Sequence, residues 1–280
     1  VENQQQSTGD ALRQPNVARV IAVASGKGGV GKSTVAVNLA LALSATGLRV
    51  GLLDADVHGP NVPLMLGVRR KDAVEGWGSM LPVGTSGNAP QQTLPALDRY
   101  GIQVMSVGLL IGEDQAAMLD NVSMVGWMVR HLLTSVQWGD LDLLLLDLPP
   151  GTSEPQATLM RTIAIDGVLM VVTPQDLALL DSTRAMNAFA GSGVPVIGVV
   201  ENMSYLVCPH CGERTQIFHR SDVPRAITNG DIPMLSRIPI EPAISTATDT
   251  GRPLVVSHPE SRQAHVFMDL ARVVAASLGM

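Results

Sequence analysis

The stretch Gly26-Lys27-Gly28-Gly29-Val30-Gly31-Lys32-Ser33-Thr34 has the residue types and the spacing to hold a phosphate chain. It fits G-x-x-x-x-G-K-[ST], in which glycines let the backbone curl around an anion and aim successive N–H groups at its oxygens. Lys32 supplies a point charge for β- and γ-phosphates, Ser33 a hydroxyl for Mg²⁺, and Thr34 a second hydroxyl near the phosphates. The Lys32 side chain is expected to project into ligand space rather than into the core. Further along stand the carboxylates of Asp54-Ala55-Asp56, and Asp147 closes the apolar run Leu143-Leu144-Leu145-Leu146. An apolar run ending in an acid has the form of a Walker B element, whose carboxylate holds Mg²⁺ through water. The turn that follows, Leu148-Pro149-Pro150-Gly151-Thr152, suits a segment that senses the terminal phosphate.

Two other groups have chemistry of their own. Asn202, in Glu201-Asn202-Met203-Ser204, sits at a strand end where a base or ribose would lie, although its spacing fits a plain turn residue equally well. Cys208 and Cys211 form a lone C-x-x-C, half of a tetrahedral thiolate site. The other half has three possible origins: His210, His219 or His265 in the same chain, a second copy of the pair across a symmetric interface, or none, in which case the thiols form a redox couple. The phosphate loop and the cysteines are expected at opposite ends of a long stretch of sheet.

The elements that must position these residues come as short apolar runs. Val20–Ala24, Val50–Leu53, Ile102–Val107, Leu143–Leu146, Val168–Val172 and Val194–Val200 read as parallel strands, buried on both faces and so without alternation. Lys32–Ser44, Ser123–Val136 and Ser261–Leu278 read as helices, and a further helix carries Arg184. His58–Pro63 reads as a loop, 69–98 as a Gly-, Pro- and Ser-rich surface excursion, Leu235–Ile238 as a short strand and Pro239–Pro253 as a Pro- and Thr-rich loop. The strands place the acids at their carboxyl ends, where open α/β sheets bind ligands. Residues 1–16, polar and Gln-rich, read as a mobile tail without an apolar signal core.

Composition excludes little but bounds the rest. Across 280 residues the net charge is −6, which leaves no electrostatic footprint for nucleic acid or an anionic membrane. Apolar content reaches 46% with a mean hydropathy of +0.24, yet no apolar run approaches the ~18 residues of a membrane helix. Two cysteines three positions apart suit a metal or redox site in a reducing compartment, so the chain is expected in the cytoplasm, with a mitochondrial matrix as the alternative.

Lys27, directly after the first glycine of the loop, matches the additional lysine of the deviant Walker A ATPases, the class of the nitrogenase iron protein and the MinD and ParA groups. Within that class, Asp54-Ala55-Asp56-Val57-His58-Gly59-Pro60, Asp147 to Thr152, Thr173-Pro174-Gln175-Asp176, Asn202-Met203-Ser204 and the cysteine pair together resemble the Mrp/ApbC (Nbp-type) iron-sulfur cluster carrier ATPases. The resemblance runs from about Val17 onward. It implies one doubly wound, mostly parallel α/β domain over 17–280, of the P-loop NTPase type. It also implies a homodimer with ATP and Mg²⁺ in each subunit and a [4Fe-4S] cluster bridged by both cysteine pairs, received from an assembly scaffold and passed to apo iron-sulfur proteins. By position, Lys27 would reach the partner's nucleotide, Lys32 would hold phosphates and Asp56 would position the attacking water. Ser33 and Asp147 would serve Mg²⁺, and Asn202 would contact adenine. The chain departs from the pattern at Leu119 to Met124, at Gly151-Thr152-Ser153-Glu154 and at His219. Two other functions share much of this chemistry: a MinD- or ParA-like spatial organiser, which calls for a basic amphipathic tail, and a regulatory ATPase stapled by zinc.

Overall fold

A computed structural model of the protein describes residues 12–57, 59–69, 93–110, 122–151, 154–208, 210–218 and 231–280. The chain begins with β1 (Val17–Ala24), α1 (Lys32–Ala45), β2 (Val50–Asp54) and α2 (Val62–Met65). It continues through β3 (Leu94–Pro95), β4 (Leu97–Arg99), β5 (Ile102–Ser106), α3 (Val107–Leu110), α4 (Val122–Ser135), β6 (Val136–Gln137) and β7 (Leu141–Asp147). Then come α5 (Glu154–Thr162), β8 (Gly167–Val172), α6 (Asp176–Gly191), β9 (Val196–Glu201), β10 (Leu206–Val207) and β11 (Arg214–Thr215). The last elements are β12 (Met234–Arg237), α7 (Pro242–Asp249), α8 (Leu254–Ser257) and α9 (Arg262–Ser277).

Among the described residues the main sheet has eight strands in the order β12-β9-β8-β1-β7-β2-β5-β4, every pair parallel except β4 with β5. The apolar runs divide by parity between two cores. Val20, Ala22 and Ala24 of β1 join Leu144 and Leu146 of β7 under α4, α5 and α6, whereas Ile21, Val23, Leu143 and Leu145 face α1 and α9. Neither face meets water, which is why these strands carry no alternation. The expected fold class, a doubly wound and mostly parallel α/β sheet, is the one observed.

Helix α1 is buried along Val35 to Leu43 because it lies between the sheet and α9. Its one buried amide, Asn38, donates to Thr34 O at 2.9 Å and accepts from Val255 N at 3.3 Å, so nothing polar is stranded. Helix α9 buries Ala264, Phe267, Leu270, Ala271 and Val274, the spacing of one helical face, and Ser261 caps it by accepting from Ala264 N.

Several expectations change. Pro239–Pro253 is not a loop, since it contains α7. Proline fits the first turn, where its missing N–H has no partner to lose, and Thr248 and Thr250 return their hydroxyls to the carbonyls of Ile244 and Thr246. His58–Pro63 ends in the start of α2. Residues 12–16 are held rather than mobile: Leu12 bridges Ile163, Arg13 pairs with Asp166 at 2.5 Å, and Asn16 O accepts from Leu141 N. The rest of the expected tail, positions 70–92 of the surface excursion, and positions 119–121, 152–153 and 219 of the pattern departures lie outside the described residues.

Phe267→Ala is expected to cost about 3–5 kcal/mol, because the ring is fully buried between α9 and α1 and its loss leaves a cavity. Val273→Ala, on the 42% exposed side of the same helix, should stay within about 0.5 kcal/mol of the parent. Urea unfolding of both variants checks the placement of α9, and equal losses would contradict it.

Candidate functional site

Strand β1 ends at Ala24 and feeds the glycine loop, which closes on α1. Ser25 is buried and its hydroxyl donates to Lys27 O at 3.0 Å, setting the first bend. Gly31 caps α1 in a left-handed conformation (φ 83°) without a side-chain cap, which leaves the first N–H groups of the helix aimed out of the sheet edge. A Cβ at Gly31 would also lie 2.3 Å from Nδ2 of Asn202, so a side chain there would push that amide aside. Lys27, Gly28, Gly29, Ser33, Thr34, Asp56, Asn61 and Pro150 line one cleft, while Val30 turns into the core.

Parallel register decides the electrostatics. Asp54 and Asp147 are Cα partners at the ends of β2 and β7, and Ala55 N donates to Asp147 O at 3.0 Å, so the carboxylates collect beside the loop. Lys32 comes to them from α1. Its ammonium lies 2.6 Å from Asp147 Oδ1 and 3.4 Å from Asp56 Oδ2, and the residue is only 5% exposed. Lys32 lines the same cleft, as expected of a side chain aimed at ligand space, but its stem is enclosed and its ammonium is paired with two acids. Burial by itself would lower the Lys32 pKa, but attraction to Asp147, Asp56 and Asp54 outweighs it and the pKa is raised.

Asp54 is fully buried, and desolvation followed by repulsion from Asp147 pushes its pKa up to about 8. Ser106 Oγ donates to its Oδ2 at 2.9 Å and Val62 N at 3.2 Å, while Asp56 N donates to Oδ1 at 3.2 Å. Asp54 thus fixes the start of α2 and the position of Asp56. Burial also raises the Asp56 pKa, against the pull of Lys32. Sequence reasoning missed Ser106; its place at the end of β5, level with Asp54, was the available signal.

Asp56 Oδ1 and Asp147 Oδ2 are buried acceptors without a hydrogen-bond partner among the described residues. Oxygen acceptors of this kind beside the Ser33 hydroxyl fit a hard divalent cation such as Mg²⁺. No three His, Cys, Asp or Glu side chains among the described residues form a ready metal cage, so such an ion would complete its shell with water and phosphate oxygens.

The cysteines lie on a second feature. Strands β10 and β11 make a small antiparallel hairpin whose turn is closed by Cys208 N to Glu213 O and Gly212 N to Cys208 O, both 2.9 Å. Amides of Cys211 and His210 and the Cys211 thiol bond to Cys208 sulfur and hold its pKa below the usual thiol value. Cys211 is exposed and Cys208 partly so. His265 is bonded to Ser261 O on α9 and joins no metal group with the cysteines, nor does His210; His219 lies outside the described residues. The hairpin does not stand at the far end of the sheet. It leaves β9 at the same carboxyl edge as the phosphate loop, and Asn202 at the root of that segment donates to Val30 O at 2.9 Å. Asn202, proposed for adenine, is thus first a partner of the loop itself.

A family described as "ParA: NUBPL iron-transfer P-loop NTPase" matches residues 16–275. The chain belongs to that family. Among relatives of this NUBPL-type NTPase, the "Iron-sulfur cluster carrier protein" of Aquifex aeolicus is 39% identical over 262 residues, 93% of this chain and 68% of its own length. The "Iron-sulfur protein required for NADH dehydrogenase, mitochondrial" of Arabidopsis thaliana is 41% identical over 268 residues, 95% and 81% of the two chains. A nucleotide-binding protein from Archaeoglobus fulgidus, solved in complex with ADP, superposes with a TM-score of 0.71 at 35% identity, over 91% and 94% of the chains. The cell-division ATPase MinD of Pyrococcus furiosus shares the fold, with a TM-score of 0.67 at 24% identity. No described helix is long and apolar enough to cross a membrane.

Two measurements test the charge cluster of this NUBPL-type chain. Lys32→Ala leaves the buried Asp147 and Asp56 carboxylates uncompensated and should cost about 3–5 kcal/mol of stability at neutral pH. A variant as stable as the parent in urea would contradict the pairing. The folded protein keeps the Asp54 proton up to about pH 8, whereas the unfolded chain releases it near the ordinary value of 3.8. Between those values the folded state binds more protons, so this residue's contribution makes stability fall as pH rises. Asp54→Asn should flatten that part of the profile, and an unchanged slope would show that the proton resides elsewhere.

Proposed function

We propose that this chain is an ATP-binding and ATP-hydrolysing carrier that holds a [4Fe-4S] cluster between two copies of itself, accepts it from an assembly scaffold and delivers it to apo iron-sulfur proteins. The observation that carries the proposal is the Cys208–Cys211 hairpin: two accessible sulfurs, with no third ligand nearby among the described residues, and a Cys208 thiol whose pKa is held below the usual value. A cluster takes four thiolates, and a two-fold axis through it supplies four from two chains. Reducing compartments suit free thiols, so the bacterial cytoplasm or, as in the name of the Arabidopsis relative, a mitochondrion is a fitting location.

The nucleotide half follows from charge. Loop amides and the N-terminus of α1 receive the phosphates, and Lys32, moving between carboxylate and phosphate partners, neutralises them. Bound at Ser33 Oγ and Asp147, Mg²⁺ would neutralise charge developing on the β- and γ-phosphates. Asp56 lines the cleft with one carboxylate oxygen unbonded among the described residues and orients the attacking water, while Lys27 reaches across to the partner's nucleotide. Catalysis here is positioning and electrostatics, with no covalent intermediate.

Anaerobic reconstitution with iron and sulfide, followed by visible spectroscopy, metal analysis and light scattering, tests the cluster half. The parent should carry about four irons per dimer. Cys208→Ser with Cys211→Ser should lose the iron-sulfur absorption together with the cluster-dependent dimer. Zinc in anaerobically purified parent would favour a structural staple, and a cluster persisting on a monomer would sink the bridged arrangement.

A further inference from the structure

Between the phosphate loop and the cysteine hairpin runs a short segment anchored at almost every residue. Asn202 is 8% exposed; its N–H donates to Val172 O at 2.8 Å and its side-chain amide to Val30 O at 2.9 Å. The amide packs so closely on Gly31 that a Cβ there would lie 2.3 Å from its Nδ2, and the bond to Val30 O ties it to the loop one residue earlier. Met203 follows in a left-handed conformation (φ 54°), which a methionine adopts only where its surroundings over-determine it. Ser204 N then donates to Ile238 O at 2.9 Å, and its hydroxyl donates to Glu201, which Arg237 pairs at 3.5 Å. Tyr205 O accepts from Ile240 N at 2.7 Å, Leu206 bridges Ile240, and the Arg214 guanidinium lies 4.9 Å over the Tyr205 ring. Two residues beyond Leu206 stands Cys208.

We infer that Asn202 is a positioning residue that couples the two sites: through the strap 202–207, the conformation of the phosphate loop sets the orientation of the cysteine hairpin in the same subunit. The inference rests on the carrier reading of the cysteines and adds to it the route by which nucleotide and cluster sense one another. Three features favour this route. All but Met203 of the strap's residues are held by a hydrogen bond, a bridge or strand pairing, both of its ends adjoin functional elements, and among the described residues it meets the loop through the Asn202 and Met203 side chains rather than through backbone pairing. Coupling between two sites is reciprocal, so cluster occupancy must change nucleotide affinity by the same factor as nucleotide changes cluster affinity.

The test is calorimetric binding of a non-hydrolysable ATP analogue with Mg²⁺ to the full chain, apo and cluster-loaded, under anaerobic conditions. In the parent the two affinities should differ by about 5- to 150-fold. Asn202→Asp keeps the side-chain shape but cannot donate to Val30 O, and it should bring the ratio to within about twofold of unity, whatever it does to either affinity alone. Ser204→Ala touches neither ligand; it should lower the ratio while the affinity of the apo protein stays at the parent value. A parent ratio of unity, or parent-like ratios in both variants, would overturn the inference with the carrier reading intact. Failure of the parent to take up a cluster at all would overturn both.

Discussion

One buried ammonium among three carboxylates is the constraint on which the site depends. Asp54, Asp56 and Asp147 are all buried or nearly so, and among the described residues Lys32 is the one cation paired within the group. Isolated charges at that depth cost several kcal/mol each, so the group persists by pairing, by hydrogen bonding and by Asp54 keeping a proton. Lys32 is held by acids that would otherwise be uncompensated, and a divalent ion would satisfy the acceptor left over at Asp147.

That cluster exists because of sheet geometry. With β1 next to β7 and β7 next to β2, the carboxyl ends of three parallel strands deliver the glycine loop, Asp147 and Asp54 to one point. Covering both faces with helices keeps water from the strands, and so makes the local dielectric low enough for these charges to matter. Backbone bonds then tie the loops to each other: Gly151 N to Ser25 O and Leu148 N to Val23 O join the turn after β7 to the exit of β1.

The cysteine hairpin is built on the same edge but on different principles. It has few apolar contacts and stands on hydrogen bonds to the strand-like segment around Ile238–Ile240 and on the Tyr205–Arg214 stack. Its thiols are accessible while the carboxylates are enclosed.

Much of this was legible in the sequence, because the signals are local. The glycine pattern, the apolar runs ending in acids and the C-x-x-C each specify a backbone shape or a ligand type within a few residues, and they were enough for the fold class and for naming candidates that the sheet brings to one edge. Local signals misjudged Pro239–Pro253, where proline and threonine suggested a loop. A helix forms there because its apolar face packs on α2 and α8, contacts that spacing does not reveal. Nor could sequence show that Lys32 is enclosed, that Ser106 holds Asp54, or that Asn202 grips Val30 from 172 residues away. Those facts depend on which strands become neighbours and in what register, and register is decided by burying two cores at once, a property of the whole chain rather than of any stretch of it.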